Sequence, residues 1–134
     1  AAAQKVYEDT IEIDPRAAVA ANNLAWMYTE NGENAEQARR LAEMAVSQAP
    51  EIADFNDTLG WVYYKADLTS TAIPLFQKAV ARDQANPSYH YHLGMALLKH
   101  RNEAQAKISL KQALTLNPSF PNAAEARTAL ASLD

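Results

Sequence analysis

One spaced pattern returns three times along this chain, and its period constrains the fold more than any other feature. Leu24, Ala25 and Tyr28 are followed by Ala38, Ala42, Ala45 and Pro50. Leu59, Gly60 and Tyr63 are followed by Ala72, Phe76 and Ala79, and Leu93, Gly94 and Leu97 by Ala106, Leu110, Ala113 and Pro118. Leu24 to Leu59 spans 35 residues and Leu59 to Leu93 spans 34. A repeat of that length is one supersecondary unit that cannot bury its apolar face alone, so neighbours must stack to make a continuous core. With 134 residues, the chain holds about the minimum of three such units. Apolar residues are 49% of the chain, Ala is the commonest, and only three Gly are present. Ala has the best helix propensity and lets helices approach closely, so the expectation is an all-α protein.

The spacing resembles that of the tetratricopeptide repeat family. The shared signature is a small residue after a Leu and an aromatic in the first helix, an Ala-x3-Phe-x2-Ala run in the second, and a closing Pro. Departures are an extra residue near Asn31 to Asn34, His90 and Leu97 where aromatics are usual, and Gln84 in place of the second closing Pro. The resemblance implies a right-handed α-solenoid of antiparallel helix pairs whose concave face holds another molecule. Residues 1–14 read as an unpaired helix of a truncated repeat, 18–51 as repeat 1, 53–86 as repeat 2, 87–120 as repeat 3 and 121–134 as a capping helix. On this reading the chain is an excised piece of a longer repeat protein. The expected helices lie near 18–30, 35–48, 53–66, 70–83, 88–100 and 103–116. Thr69 or Ser70 is the expected N-cap of the fourth, with Pro74 in or just beyond the first turn. Tyr28, Tyr63, Phe76, Leu110 and Leu114 stand at signature positions and are expected in the core.

Charge and chemistry narrow the function. The net charge is −4, which disfavours nucleic acid as a partner. Residues 1–57 carry 11 acidic and 4 basic side chains, and residues 58–134 carry 5 acidic and 8 basic, so the halves differ in sign. No apolar run of about 18 residues spans a membrane, so no direct membrane insertion is expected. With no Cys, thiol catalysis and Cys-ligated zinc are excluded. His90 and His92 project about 200° apart on a helix and cannot share a metal as an i, i+4 pair would. No phosphate loop, nucleophile elbow or H-E-x-x-H segment occurs. The expectation is a chain that is not an enzyme, with no cofactor and no metal. The compartment is left open between bacterial cytoplasm and periplasm.

The resemblance also implies a binding face. Carried over residue by residue, the first helices place Trp26, Trp61 and Met95 in one column, with Asn22, Asp57 and Tyr91 beside it. Thr29, Tyr64 and Leu98 follow one turn on, with Glu30, Lys65 and Lys99 at the edge, and Asn23, Thr58 and His92 form a further strip. Trp and Tyr dominate binding hot spots, so Trp26 and Trp61 are expected to keep solvent exposure in a concave aromatic groove. Packing of each Trp against the next repeat is the alternative reading. Relatives that hold chaperone C-terminal peptides clamp carboxylates with Lys, Arg and Asn. Here the comparable places hold Asn22, Trp26, Thr58, Ser88 and His92, and that clamp is incomplete. Asp54 and Asp57 instead favour a ligand bearing Lys or Arg, or hydroxyl groups.

The resulting expectation is a noncatalytic scaffold that binds a peptide or helix of a partner protein. The wording N-N-L-A-W-M at 22–27 and D-T-L-G-W at 57–61 is similar to bacterial repeat proteins of exopolysaccharide production and secretion. Two alternatives follow: a carbohydrate-binding groove with Trp26, Trp61 and Tyr64 stacked on sugar rings, or a purely architectural repeat that self-assembles. An aromatic ladder open to solvent favours a ligand; one buried between repeats favours architecture. Self-association is expected through Val6, Tyr7 and Ile11 of the first helix.

Overall fold

A computed structural model describes residues 17–133. The expected helix over 1–14, with Val6, Tyr7 and Ile11, lies outside the described residues. Seven helices follow in order: α1 Ala18–Asn31, α2 Ala35–Gln48, α3 Ala53–Lys65, α4 Thr69–Arg82, α5 Pro87–Lys99, α6 Glu103–Leu116 and α7 Ala123–Ala131. No strand occurs among the described residues. The helices pack as pairs α1/α2, α3/α4 and α5/α6, each joined by a three-residue turn, which folds the partners antiparallel. Each second helix also packs on the next first helix, and α1, α3 and α5 touch in succession. This is an all-α solenoid in which α1, α3 and α5 share one face.

The turns show how the repeat is closed. Gly32, Asp67 and Arg101 adopt left-handed φ of 68°, 63° and 64°, at the same place in successive repeats. Beyond each, a backbone N–H reaches back to the helix: Glu33 to the Tyr28 carbonyl at 3.0 Å, Leu68 to Tyr63 at 2.9 Å and Asn102 to Leu97 at 2.9 Å. This is a Schellman closure used three times. Glycine fits it without steric cost at the first turn, whereas Asp67 and Arg101 accept a less favourable conformation. In the second and third repeats Leu68 and Asn102 serve directly as N-cap of the next helix. In the first, Asn34 is interposed with φ 51°, which accounts for the extra residue in that period.

Small residues set the spacing within pairs. Ala25, Ala38, Ala42, Ala72, Ala79, Ala106 and Ala113 are fully buried. A Cβ on Gly60 would lie 2.7 Å from Phe76 Cε1, and one on Gly94 2.7 Å from Leu110 Cγ and 3.3 Å from the Leu110 backbone N. Phe76 and Leu110 themselves have no exposed surface, so these glycines exist to let the paired helix approach. Tyr28, Phe76 and Leu110 are core as expected, but Tyr63 and Leu114 are half-buried and pack only against its margin. Tyr63 instead donates its hydroxyl to Glu43, itself paired with Arg39.

Two local expectations are corrected. Leu68, not Thr69 or Ser70, is the N-cap of α4, and no side chain caps that end, because the turn puts an apolar Leu at the position where the third repeat has Asn102, whose side chain accepts from the Gln105 N–H. Pro74 is deeper than expected, at the sixth residue of α4. The carbonyl of Ser70 that would have bonded its N–H lies on an exposed stretch where water can serve it, so the helix continues. At the other end, Ala123, Ala126 and Ala129 of α7 are buried against the last pair. Phe120, which the repeat pattern did not single out, locks this junction with its ring edge-on to Tyr91 at 5.7 Å.

Candidate functional site

The face shared by α1, α3 and α5 carries the aromatic and polar strips expected of a binding surface, but it divides into a closed part and an open part. The closed part is built around His92. Its Nδ1 lies 2.8 and 2.9 Å from the two carboxylate oxygens of Asp57, so the proton on that nitrogen donates to the carboxylate. Both side chains are buried. Rings surround the imidazole: Trp61 at 4.4 Å, Tyr91 at 5.6 Å, and Trp26 and Phe76 each at 5.7 Å between centroids. Burial pushes the Asp57 carboxyl above the usual carboxylate range, and the charge and hydrogen bond of His92 oppose that shift. A buried carboxylate needs such a partner.

This arrangement corrects the expectation of an open ladder. Trp61 retains only 7% exposure, because Trp26 stacks on it at 6.2 Å and Tyr64 at 4.9 Å, with Lys65 over its ring. Tyr91 is equally enclosed. Asp57, expected to face a cationic ligand, is occupied by His92. Asp57 meets His92 and Tyr64 meets Lys99 one position out of register between repeats, whereas Trp26 and Trp61 stack in register. Large rings therefore fill the seam between repeats. Tyr64 and Met95 are half-buried, and Tyr64 lies under the Lys99 ammonium, which also bonds Asp67.

The open part lies at the N-terminal ends of the first helices. There Asn22, Asn23, Trp26, Asp54, Asp57, Thr58, Ser88, Tyr89 and His92 line a cleft of about 540 Å³. Met27 and Asn86 contribute, and Pro121 and Asn122 close its far end ahead of α7. Asp54 stands exposed on α3 and ties the three helices together. It accepts from Asn22 Nδ2 of α1 at 3.1 Å and from the Tyr89 hydroxyl of α5 at 3.4 Å. Asn22 is buried, and its Oδ1 has no donor among the described residues. Trp26 is half-buried and borders the cleft. Of the residues expected to bind a partner, Asn22, Trp26, Asp57, Thr58 and His92 border this cleft, whereas Trp61, Tyr64, Tyr91 and Met95 do not. Tyr89 was outside the expected site, whereas Ser88 was expected in the groove only as a position where a clamp residue is missing. Tyr89 could have been found from its place just after the Asn86-Pro87 helix start, one turn ahead of the signature Leu93.

A second hollow of about 340 Å³ lies near the turns, between Tyr28, Gly32, Arg39, Tyr63 and Leu68. Among the described residues no group of His, Asp and Glu could hold a metal ion, and no helix is long and apolar enough to cross a membrane.

Known structures share this architecture. MamA superposes with a TM-score of 0.81 at 18% identity, covering 97% of this chain and 74% of that one. YrrB, described as a TPR protein with an unusual peptide-binding site, gives 0.78 at 24% identity, covering 95% of this chain and 63% of that one. The Yersinia enterocolitica type III secretion chaperone SycD, in complex with a peptide of the translocator YopD, gives 0.74 at 19% identity, covering 93% and 92%. At these identities the likeness is one of fold. No curated protein matches the sequence significantly. The tetratricopeptide repeat profile matches residues 58–124, and with three helix pairs in register, closed by the same turn, the chain belongs to the tetratricopeptide repeat family.

Proposed function

We propose that this chain is a noncatalytic recognition module that holds a peptide segment of a partner protein in the cleft formed by α1, α3 and α5. The observation that carries the reading is the cleft itself: a concave surface spanning successive repeats, bordered by one half-buried indole and a set of neutral and acidic polar groups. Sites of this make-up hold a ligand by apolar contact and orient it through a few placed hydrogen bonds. YrrB and SycD, which share the fold, are described with peptide sites or peptides, which supports a peptide as occupant. We assign contact to Asn22, Trp26, Thr58 and His92, and add Asp54, Ser88 and Tyr89.

A second reading has a specific observation behind it. Burial of Trp61 between repeats makes the Trp61, Tyr91 and His92 group an architectural element that sets the curvature of the solenoid. Both roles coexist on one face, the closed part supporting the open one. The same burial weakens a sugar-stacking groove, because Trp26 alone of the two indoles borders the cleft.

The test is selection of displayed random peptides on the immobilised chain. The expected result is a family of peptides whose binding is lost in Trp26→Ala and in Thr58→Arg, which fills the cleft. Failure to enrich any peptide, or binding indifferent to both substitutions, contradicts the reading.

A further inference from the structure

The cleft holds one carboxylate, Asp54, that no basic side chain on its walls answers, whereas Asp57 is already engaged by His92. None of its lining residues is Lys or Arg. Asp54 accepts one hydrogen bond on each oxygen, from Asn22 and from Tyr89, and a carboxylate offers about four acceptor positions, so acceptor capacity remains on an exposed group. An acidic residue in the first turn of a helix ordinarily complements the dipole of that helix. Asp54 is turned sideways instead, to helices 32 and 35 residues away in sequence. Below it lies the second carboxylate, Asp57. The Tyr89 phenol registers the resulting field: burial first, and then the charges of Asp54 and Asp57, hold it well above the usual phenol range.

Two further observations point to the occupant. Asn22, 3% exposed on the cleft wall, spends its Nδ2 on one Asp54 oxygen and so fixes the orientation of that carboxylate. Trp26 borders the same space with a half-buried indole. An oriented carboxylate with acceptor positions to spare, beside an aromatic ring, matches a planar cation better than a point charge. A guanidinium carries five donors in a fixed fork, stacks on aromatic rings and is more weakly hydrated than an ammonium. A volume of about 540 Å³ admits such a side chain with its stem.

We propose that the cleft is an arginine pocket, in which an arginine side chain of the bound segment places its guanidinium on Asp54 and its plane against Trp26. This rests on the peptide reading of the cleft but is tested apart from it. The probes are N-acetyl-arginine amide, its uncharged isostere N-acetyl-citrulline amide and N-acetyl-lysine amide, titrated into the ¹⁵N-labelled chain. The arginine probe is expected to shift the amides of Asn22–Trp26, Asp54–Thr58 and Ser88–His92 and the Trp26 indole N–H. Citrulline is expected to leave them in place. Asp54→Asn, isosteric at an exposed position, is expected to weaken the arginine probe about ten-fold, the worth of one charge-assisted hydrogen bond. Equal shifts by citrulline, equal affinity for lysine, or arginine binding unchanged in Asp54→Asn would each overturn the assignment, and so would no shift with any probe. Displayed peptides separate the two readings. Cleft-bound peptides without enriched arginine leave the peptide site standing and remove the arginine pocket. Arginine-probe binding with no peptide enriched leaves the pocket and removes the peptide site.

Discussion

His92 Nδ1 meets both carboxylate oxygens of Asp57, at 2.8 and 2.9 Å, across the boundary between the second and third repeats, with both side chains buried. The pair couples α3 to α5 by a directional bond within an otherwise aromatic seam. Removing one member leaves the other buried without its partner, so His92→Ala is expected to destabilise the fold by about 3–5 kcal/mol. Asp57→Asn, which keeps shape and one hydrogen bond, is expected to cost about 1–3 kcal/mol. Chemical denaturation of the two single mutants and the double mutant reads the coupling. Additive effects would show that the contact contributes no pairwise energy.

Trp61 and Trp26 stand at equivalent places in successive repeats but differ in role. Trp61→Ala removes a ring enclosed by Trp26, Tyr64 and His92 and is expected to cost about 3–5 kcal/mol in thermal or urea unfolding. An effect near zero would mean the indole is solvated and the seam open.

Gly94 has no side chain because Leu110 occupies that space. Gly94→Ala gains about 1 kcal/mol of helix propensity, yet the added methyl presses on a fully buried Leu and on backbone. The net expectation is destabilisation by about 1–3 kcal/mol, and a smaller effect of Gly94→Ala when it is made in a Leu110→Ala background. A melting temperature raised by Gly94→Ala alone contradicts the packing described.

Burial, followed by the bond to Glu43, lifts the Tyr63 phenol to about 12, and burial lifts Tyr91 to about 12. A group whose pKa is higher in the folded state lends stability that is complete below its unfolded value, near 10, and is lost as pH rises through the folded value. Stability is therefore expected to fall between pH 10 and about 12. Ultraviolet tyrosinate titration checks this. Glu43→Gln is expected to lower the Tyr63 value and leave Tyr91 unmoved; all phenols titrating together near 10 contradicts it.

The period, the helix pairs and most of the core are legible in the sequence because each repeat restates the same requirements. A Leu and a small residue stand on the first helix and an Ala-rich seam on the second, and the copies confirm one another. The cleft is only half legible. Asn22, Trp26 and Thr58 fall on it from their repeat positions alone. The burial of Trp61 does not follow from its position, since it depends on Trp26, Tyr64 and His92 closing over the ring. The Asp57–His92 pair joins positions one step out of register between repeats, and Asp54 with Tyr89 joins side chains 35 residues apart. Such contacts depend on superhelical twist, which the period does not encode. The N-cap of α4 likewise follows from the turn before it, which places Leu68 there one residue ahead of the hydroxyl side chains.

The most direct test is a chemical-shift map of the ¹⁵N-labelled chain titrated with a peptide enriched by display. The account predicts perturbations grouped on Asn22–Trp26, Asp54–Thr58 and Ser88–His92, including the Trp26 indole N–H. A map centred on Arg39, Glu43 and Tyr63, with those three groups unmoved, would contradict it.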